Sequence, residues 1–271
     1  MSLRPLDADL VSLIADDLSS LLVSEEFSAG APAAVGAGLS QALYLTEAGD
    51  SSAISMNDIH QGQIGDCYLL SPIGDLAATH PNLIQNMIHA NADGSETVTL
   101  YLGRNGAIAY PGTTSFKTVT TTVTNVFPNY GVNNGANQDV VGSTKEIWAQ
   151  VLEKAVAQVG GGYGSIANGG NPAMAMQELT GQAAIFYSPG SVSAALLQAD
   201  ASAGDLITFD TKSSGLSYNL VGNHAYMFKG VVNTASGPAV SLANPWGVAQ
   251  PSLVPVSQFS KMFVEVDVGK P

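Results

Sequence analysis

The sequence predicts an α+β fold in which a helical half carrying the single cysteine precedes a strand-rich half, the two meeting as lobes at a cleft. Three observations predict it. Apolar residues recur at helical spacing over 67–89 and again over 144–159. Short β-type runs separated by Gly, Ser, Asn and Pro take over after about residue 189. The 271 residues, 45% hydrophobic, suffice for one sizeable domain or two small ones sharing a cleft. The division expected is 1–50 as an appendage, 51–190 as the helical lobe and 191–271 as the β-rich lobe.

Within 1–50, Leu10, Ile14, Leu18 and Leu22 stand four apart with Asp9, Asp16 and Asp17 elsewhere, which predicts an amphipathic helix over 7–23. The Ala- and Gly-rich stretch 28–49 that follows reads as a linker of low order. The pair fits a docking helix in contact with the core or a removable pro-segment. Over 67–89 the pattern predicts two helices broken at His80-Pro81, with Pro72 within the first turns of the first. Strands are expected at 96–102, 107–110 and in the Thr-rich run 113–124, with a turn at Arg104-Asn105-Gly106. The segment 144–159 sets Ile147, Val151, Leu152, Ala155 and Val159 on one helical face, Glu153 and Lys154 off it, and three glycines to stop it. Strands follow at 206–209, 224–232, 239–243 and 263–268.

With 22 acidic against 9 basic residues, the net charge of −13 repels a phosphate backbone, which excludes nucleic acid as the natural partner. No apolar run reaches the roughly 18 residues of a membrane span, and the N-terminus lacks a Sec-type signal pattern, so a cytoplasmic protein or one exported by another route is expected. One cysteine closes no intrachain disulfide.

That cysteine is the centre of the chemistry. Gln61-Gly62-Gln63-Ile64-Gly65-Asp66-Cys67 feeds a glycine-bearing loop into a helix, placing Cys67 in its first turn, where free N–H groups and the helix dipole favour a thiolate. A small buried hydrophobe is the plain alternative for a lone cysteine. A thiol nucleophile needs a base and a group to orient that base. Of four histidines, His60, His80 and His89 read as loop, capping or packing residues, whereas His224 stands at the mouth of an apolar strand in Gly222-Asn223-His224-Ala225-Tyr226. Asn244, in Asn244-Pro245-Trp246-Gly247, offers an amide to one imidazole nitrogen, with an indole two residues on to cover the pair.

Four blocks in this order, QGQIGDCYLL, LEKAVAQVGGGYGSIANGG, GNHAYMF and NPWG, resemble the catalytic core of the calpain-type cysteine proteases, a branch of the papain-like enzymes, in the form of a compact bacterial member. The resemblance spans about 57–250. It implies a two-lobed papain-like fold and a cysteine endopeptidase acting on protein or peptide through a thioester. In it Cys67 is the nucleophile, His224 the general base and Asn244 its orienting partner. Gln61 supplies the oxyanion-hole amide beside the Cys67 N–H, with Gln63 ranked below it, and Trp246 shields the pair. The glycine-rich turn 160–170 borders the substrate cleft.

No cofactor is required for this chemistry. Animal calpains are calcium switches, but support for calcium is thin here: Asp58 matches one acidic position, Met174 stands where a partner carboxylate is expected, and no acid follows NPWG over 248–259. Asp58 is thus a weak calcium-ligand candidate and otherwise a turn or cap residue. Two other readings of the blocks are a calpain-fold binding or effector domain without turnover and a transglutaminase-like acyltransferase.

Overall fold

The computed structural model describes residues 39–46, 50, 52–134 and 139–271, so the helix expected over 7–23 lies outside the described residues, as does most of the 28–49 linker. One part of that linker is ordered. β1 (Ser40–Ala42) pairs in parallel with β6 (Thr144–Glu146), which also pairs with β5 (Val140–Val141). Gly and Ala predicted low order, but the strand edge of 144–146 supplies the backbone partners that such residues need to stay extended.

The helix α1 (Cys67–Thr79) runs into α2 (Pro81–Met87), broken at His80-Pro81 as expected, with Pro81 at the first helical position. Ile88 does not continue α2. It opens β2 (Ile88–Ala90), which joins β3 (Glu96–Gly103) and β4 (Phe116–Val123) in an antiparallel sheet. The strand expected at 107–110 does not form, because β3 takes the Thr-rich run as its partner over its whole length and 104–115 become the connection. The helix predicted from 144 starts later, as α3 (Trp148–Gly160), since 144–146 are taken into β6. It stops at Gly161, whose φ of 100° is a conformation that glycine adopts without strain. Then α4 (Pro172–Thr180) is capped by the Asn171 side chain.

The second half supplies β7 (Ala184–Tyr187), α5 (Ala194–Ser202), β8 (Leu206–Thr211), β9 (Ala225–Thr234), β10 (Gly237–Ala243), β11 (Val254–Pro255), α6 (Phe259–Met262) and β12 (Phe263–Gly269). All strands expected after 189 are present. They form a six-stranded sheet of order β11-β10-β9-β8-β12-β7, antiparallel throughout. Two apolar clusters fill the interior. One joins α1, α3 and α4 around Leu70, Ile73, Trp148 and Met176, and the other lines the six-stranded sheet around Phe209, Phe228, Phe259 and Phe263.

The Cys67 helix is buried all round and is fastened to the strand that follows His224. Ser71 Oγ donates to Ala225 O at 3.0 Å. The buried Asp75 carboxylate accepts from Ile207 N at 2.9 Å on β8 and from Phe228 N at 3.0 Å on β9. Between them Gly74 lets β9 come close, because a Cβ there would collide with Met227 Sδ. Burial pushes the Asp75 carboxyl well above its ordinary pKa, and the two N–H donors offset part of that.

Asp75→Ala leaves two buried N–H groups unpaired and is expected to lower unfolding stability by about 1–3 kcal/mol. Gly74→Ala overpacks the same contact and is expected to lower it by about 1–3 kcal/mol. Urea unfolding of both variants is the check, and wild-type midpoints would show that the fastening carries no stability.

Candidate active site

The loop before α1 is held on three sides. Gln61 N donates to Pro245 O at 2.8 Å, Gln63 N to Tyr130 O at 2.7 Å and Gly65 N to Ala167 O at 2.7 Å. At Gly62 a Cβ would overlap Tyr130 O and Gly131 O, so the approach of the 130–131 backbone requires glycine. The loop thereby sets Cys67 as the first residue of α1, on the border of a cavity of about 480 Å³ that Gln61, Asn168, Gly169, His224 and Trp246 also line. The glycine-rich turn thus borders the cleft at Asn168 and Gly169.

His224 is placed by the β8 end. Its N–H donates to Thr211 Oγ1 at 3.0 Å, and its carbonyl accepts from Thr211 N at 3.0 Å. At 5% exposure the ring is almost enclosed. Its Nε2 lies 2.9 Å from Asn244 Oδ1. The Asn244 amide is oriented independently, because Oδ1 also accepts from Trp246 N at 3.0 Å while Nδ2 donates to Ala249 O at 3.3 Å. With Oδ1 thus facing the ring, Nε2 carries the proton and Nδ1 keeps its lone pair. Trp246 covers the pair with ring centroids 4.8 Å apart, and Tyr226 meets the imidazole edge-on at 4.9 Å. The other histidines are elsewhere: His60 packs at Gly247, His80 at Gly204, and His89 is exposed on β2.

Gln61 is 5% exposed and Gln63 is exposed, and both line the cavity. The Gln61 amide is engaged: Nε2 donates to Ile64 O at 2.8 Å and to Asp66 Oδ1 at 3.1 Å, and Oε1 has no hydrogen-bond partner among the described residues. Asp66 in turn bonds to Glu153 on α3, which also accepts from Val132 N at 2.7 Å and Tyr163 Oη at 3.1 Å. Burial, then Glu153, raise the Asp66 carboxyl well above its usual range, so Asp66 keeps the proton of this pair. The sequence reading placed Glu153 off the packed face of its helix and did not find it. It is 1% exposed, because the loop 130–132 folds over α3, and spacing along one helix carries no signal of that.

The thiolate expected from the helix terminus is not what the surroundings give. Burial pushes the Cys67 thiol above its ordinary value, the Ala225 backbone offsets part of this, and Asp210 and Asp66 add to the rise. Burial also lowers His224, against the Asn244 bond that raises it. Both shifts favour the neutral forms, thiol and imidazole. Desolvation penalises both charged forms, and the terminus of one helix does not outweigh it.

Among the described residues two acid groups have the spacing of metal ligands. Asp58 is not the lone acid that the sequence suggested: Asp139 and Glu146 bring oxygens within 4.8 Å of it. Met174 lies on α4 and plays no part. Asp58 and Glu146 already face N–H donors, Asp58 Oδ2 accepting from Ser55 N at 2.7 Å and Trp148 Nε1 at 3.1 Å, and Glu146 accepting from Trp148 Nε1 and Leu45 N. Calcium takes six to eight oxygens, and here it would compete with the N–H donors already on Asp58 and Glu146. The second group is Asp210, Glu265 and Asp267.

The chain belongs to the calpain family: the model of the calpain family cysteine proteases matches residues 46–255. It is 26% identical over 208 residues to Calpain-A of Drosophila melanogaster, covering 70% of this chain and 24% of that protein. It is 28% identical over 205 residues to Calpain-8 of Homo sapiens, covering 70% of this chain and 28% of that protein. The chain therefore spans about a quarter of the length of the curated relatives it matches.

The raised thiol predicts a pH profile. Iodoacetamide should label Cys67 at pH 7 more slowly than a free thiol, whose pKa is about 8.5. The rate should climb about tenfold per pH unit and level off only above that value. A plateau reached by pH 6 would show instead a preformed thiolate and imidazolium pair.

Proposed function

We propose that this calpain-family chain is a cysteine endopeptidase of papain-like, two-lobed arrangement, with Cys67 as nucleophile, His224 as base, Asn244 as its orienting partner and Gln61 as oxyanion donor. The observation that supports it best is one cavity lined by a helix-terminal thiol and by an imidazole whose far nitrogen is tied to an oriented amide. Two separate apolar clusters, one joining α1, α3 and α4 and one on the six-stranded sheet, support the two-lobed reading.

From a neutral pair, the reaction begins with proton transfer. His224 Nδ1 takes the thiol proton as Sγ attacks the peptide carbonyl. The new oxyanion lies beside the Cys67 N–H, and Gln61 Nε2 reaches it by giving up its bond to Asp66. The imidazolium, held by Asn244, gives its proton to the leaving amine as the C–N bond breaks and a thioester remains. Water then attacks the thioester, His224 taking its proton, and Cys67 is restored. No step calls for a metal or cofactor.

The rival reading, a domain that binds without turnover, has one observation in its favour: the Gln61 amide is turned to Ile64 and Asp66 in the unliganded protein. The two separate cleanly. Cleavage of casein should occur and vanish in Cys67→Ala, and it should persist in chelator. His224→Ala should lose about 10²–10⁴ in rate and Gln61→Ala about 10²–10³, with Gln63→Ala close to wild type. Intact casein under all conditions would establish the binding domain, and incorporation of a primary amine without net cleavage would establish the acyltransferase.

A further inference from the structure

A second cavity of about 240 Å³ shares Cys67, Gly169, Asn223 and His224 with the first and runs on past Ala225 and Val264 to Asp210. Asp210 on β8 pairs across the ladder with Ala225, the residue after His224, and on its other side with Glu265 of β12. Two acids directly opposite each other in a sheet repel. Asp267, two residues along β12, completes a group whose oxygens lie within 4.8 Å of one another. Among the described residues no Lys or Arg pairs with this group, the ion pair present being Lys270 with Asp205.

The group is under-satisfied as well as crowded. Asp267 is 0% exposed, its Oδ1 has no hydrogen-bond partner among the described residues, and Thr208 Oγ1 reaches its Oδ2 at 3.4 Å. The Ala173 amide and that hydroxyl offset part of its burial. Asp210, on the cavity wall, meets the Glu265 carboxyl, which also accepts from Asn171 Nδ2 at 2.8 Å. Burial and Glu265 push Asp210 up to about 8. The acids hold protons in place of a cation.

We propose that this pocket takes a cationic side chain of the peptide substrate, a Lys ammonium or an Arg guanidinium, within three residues of the bond that Cys67 attacks. The inference rests on the endopeptidase reading. It explains three features together: acids in direct register, a buried carboxylate behind them with one oxygen left without a partner among the described residues, and a cavity that shares its lining with the thiol. The Arg fork suits it best, since a planar donor pair can meet the Asp210 carboxyl on the cavity wall in two-point fashion, with Glu265 directly behind it.

The test is cleavage of a mixture of proteome-derived peptides by the wild-type chain, with cut sites read by mass spectrometry. Lys and Arg should be enriched about tenfold at one fixed position within three residues of the cut, the factor that a charge-assisted hydrogen bond supplies. Asp210→Asn, close in shape to the protonated acid, and Glu265→Gln should each reduce that enrichment several-fold. A flat or apolar profile, or enrichment that both variants keep, overturns the proposal and leaves the endopeptidase reading standing. Agmatine, a free guanidinium, gives a readout without turnover: by ligand-observed NMR it should bind Cys67→Ala and bind Cys67→Ala with Asp210→Asn about tenfold more weakly. Agmatine binding without any peptide cleavage would support the pocket and sink the endopeptidase reading. Calcium binding with no agmatine binding would overturn the pocket.

Discussion

The fastening of α1 to β9 is the constraint on which the site depends. Cys67 opens α1 and His224 immediately precedes β9, so their meeting requires that a helix and a strand more than 150 residues apart be fixed against each other. Asp75 does this with one carboxylate that accepts from two strands, Ser71 with one hydroxyl, and Gly74 by having no side chain in the way. A buried carboxylate is an expensive way to join two elements. It is also a directional one, and direction is what a thiol and an imidazole on separate elements need.

The same interior is rich in acids and poor in cations. Asp66 and Glu153 share a proton beneath Gln61, Asp210 and Glu265 face each other along the cleft, and Asp58 sits with Asp139 and Glu146 behind the first helix. At Asp66 and at Asp210 burial and the neighbouring acid raise the carboxyl and favour its protonated form. The effect reaches the thiol: Asp210 and Asp66 both oppose its ionisation. The surroundings thus favour the neutral forms of Cys67 and His224.

Local order was legible where one local signal dominated. His80-Pro81 broke the helices, Gly161 stopped α3, and alternating runs gave β8, β9, β10 and β12. It failed where a partner strand decided. Thr144–Glu146 and Ile88 carry helical spacing but join strands, and Ala107–Tyr110 carries strand character but loses its place to the Thr-rich run. Backbone pairing with a distant segment outweighs a weak propensity.

For the site, the sequence determined the chemistry: one thiol at a helix start, one histidine at a strand mouth and one asparagine before an indole are residue types that only a few reactions use, and local motifs fix their immediate backbone. Only the tertiary structure decided their electrical state and their neighbours. Glu153 under the loop, Asp210 beside the thiol and the turned Gln61 amide all come from contacts between segments far apart in the chain. Motifs record which groups are present; burial and the field of distant charges set which of them hold protons, and those exist only once the chain has folded.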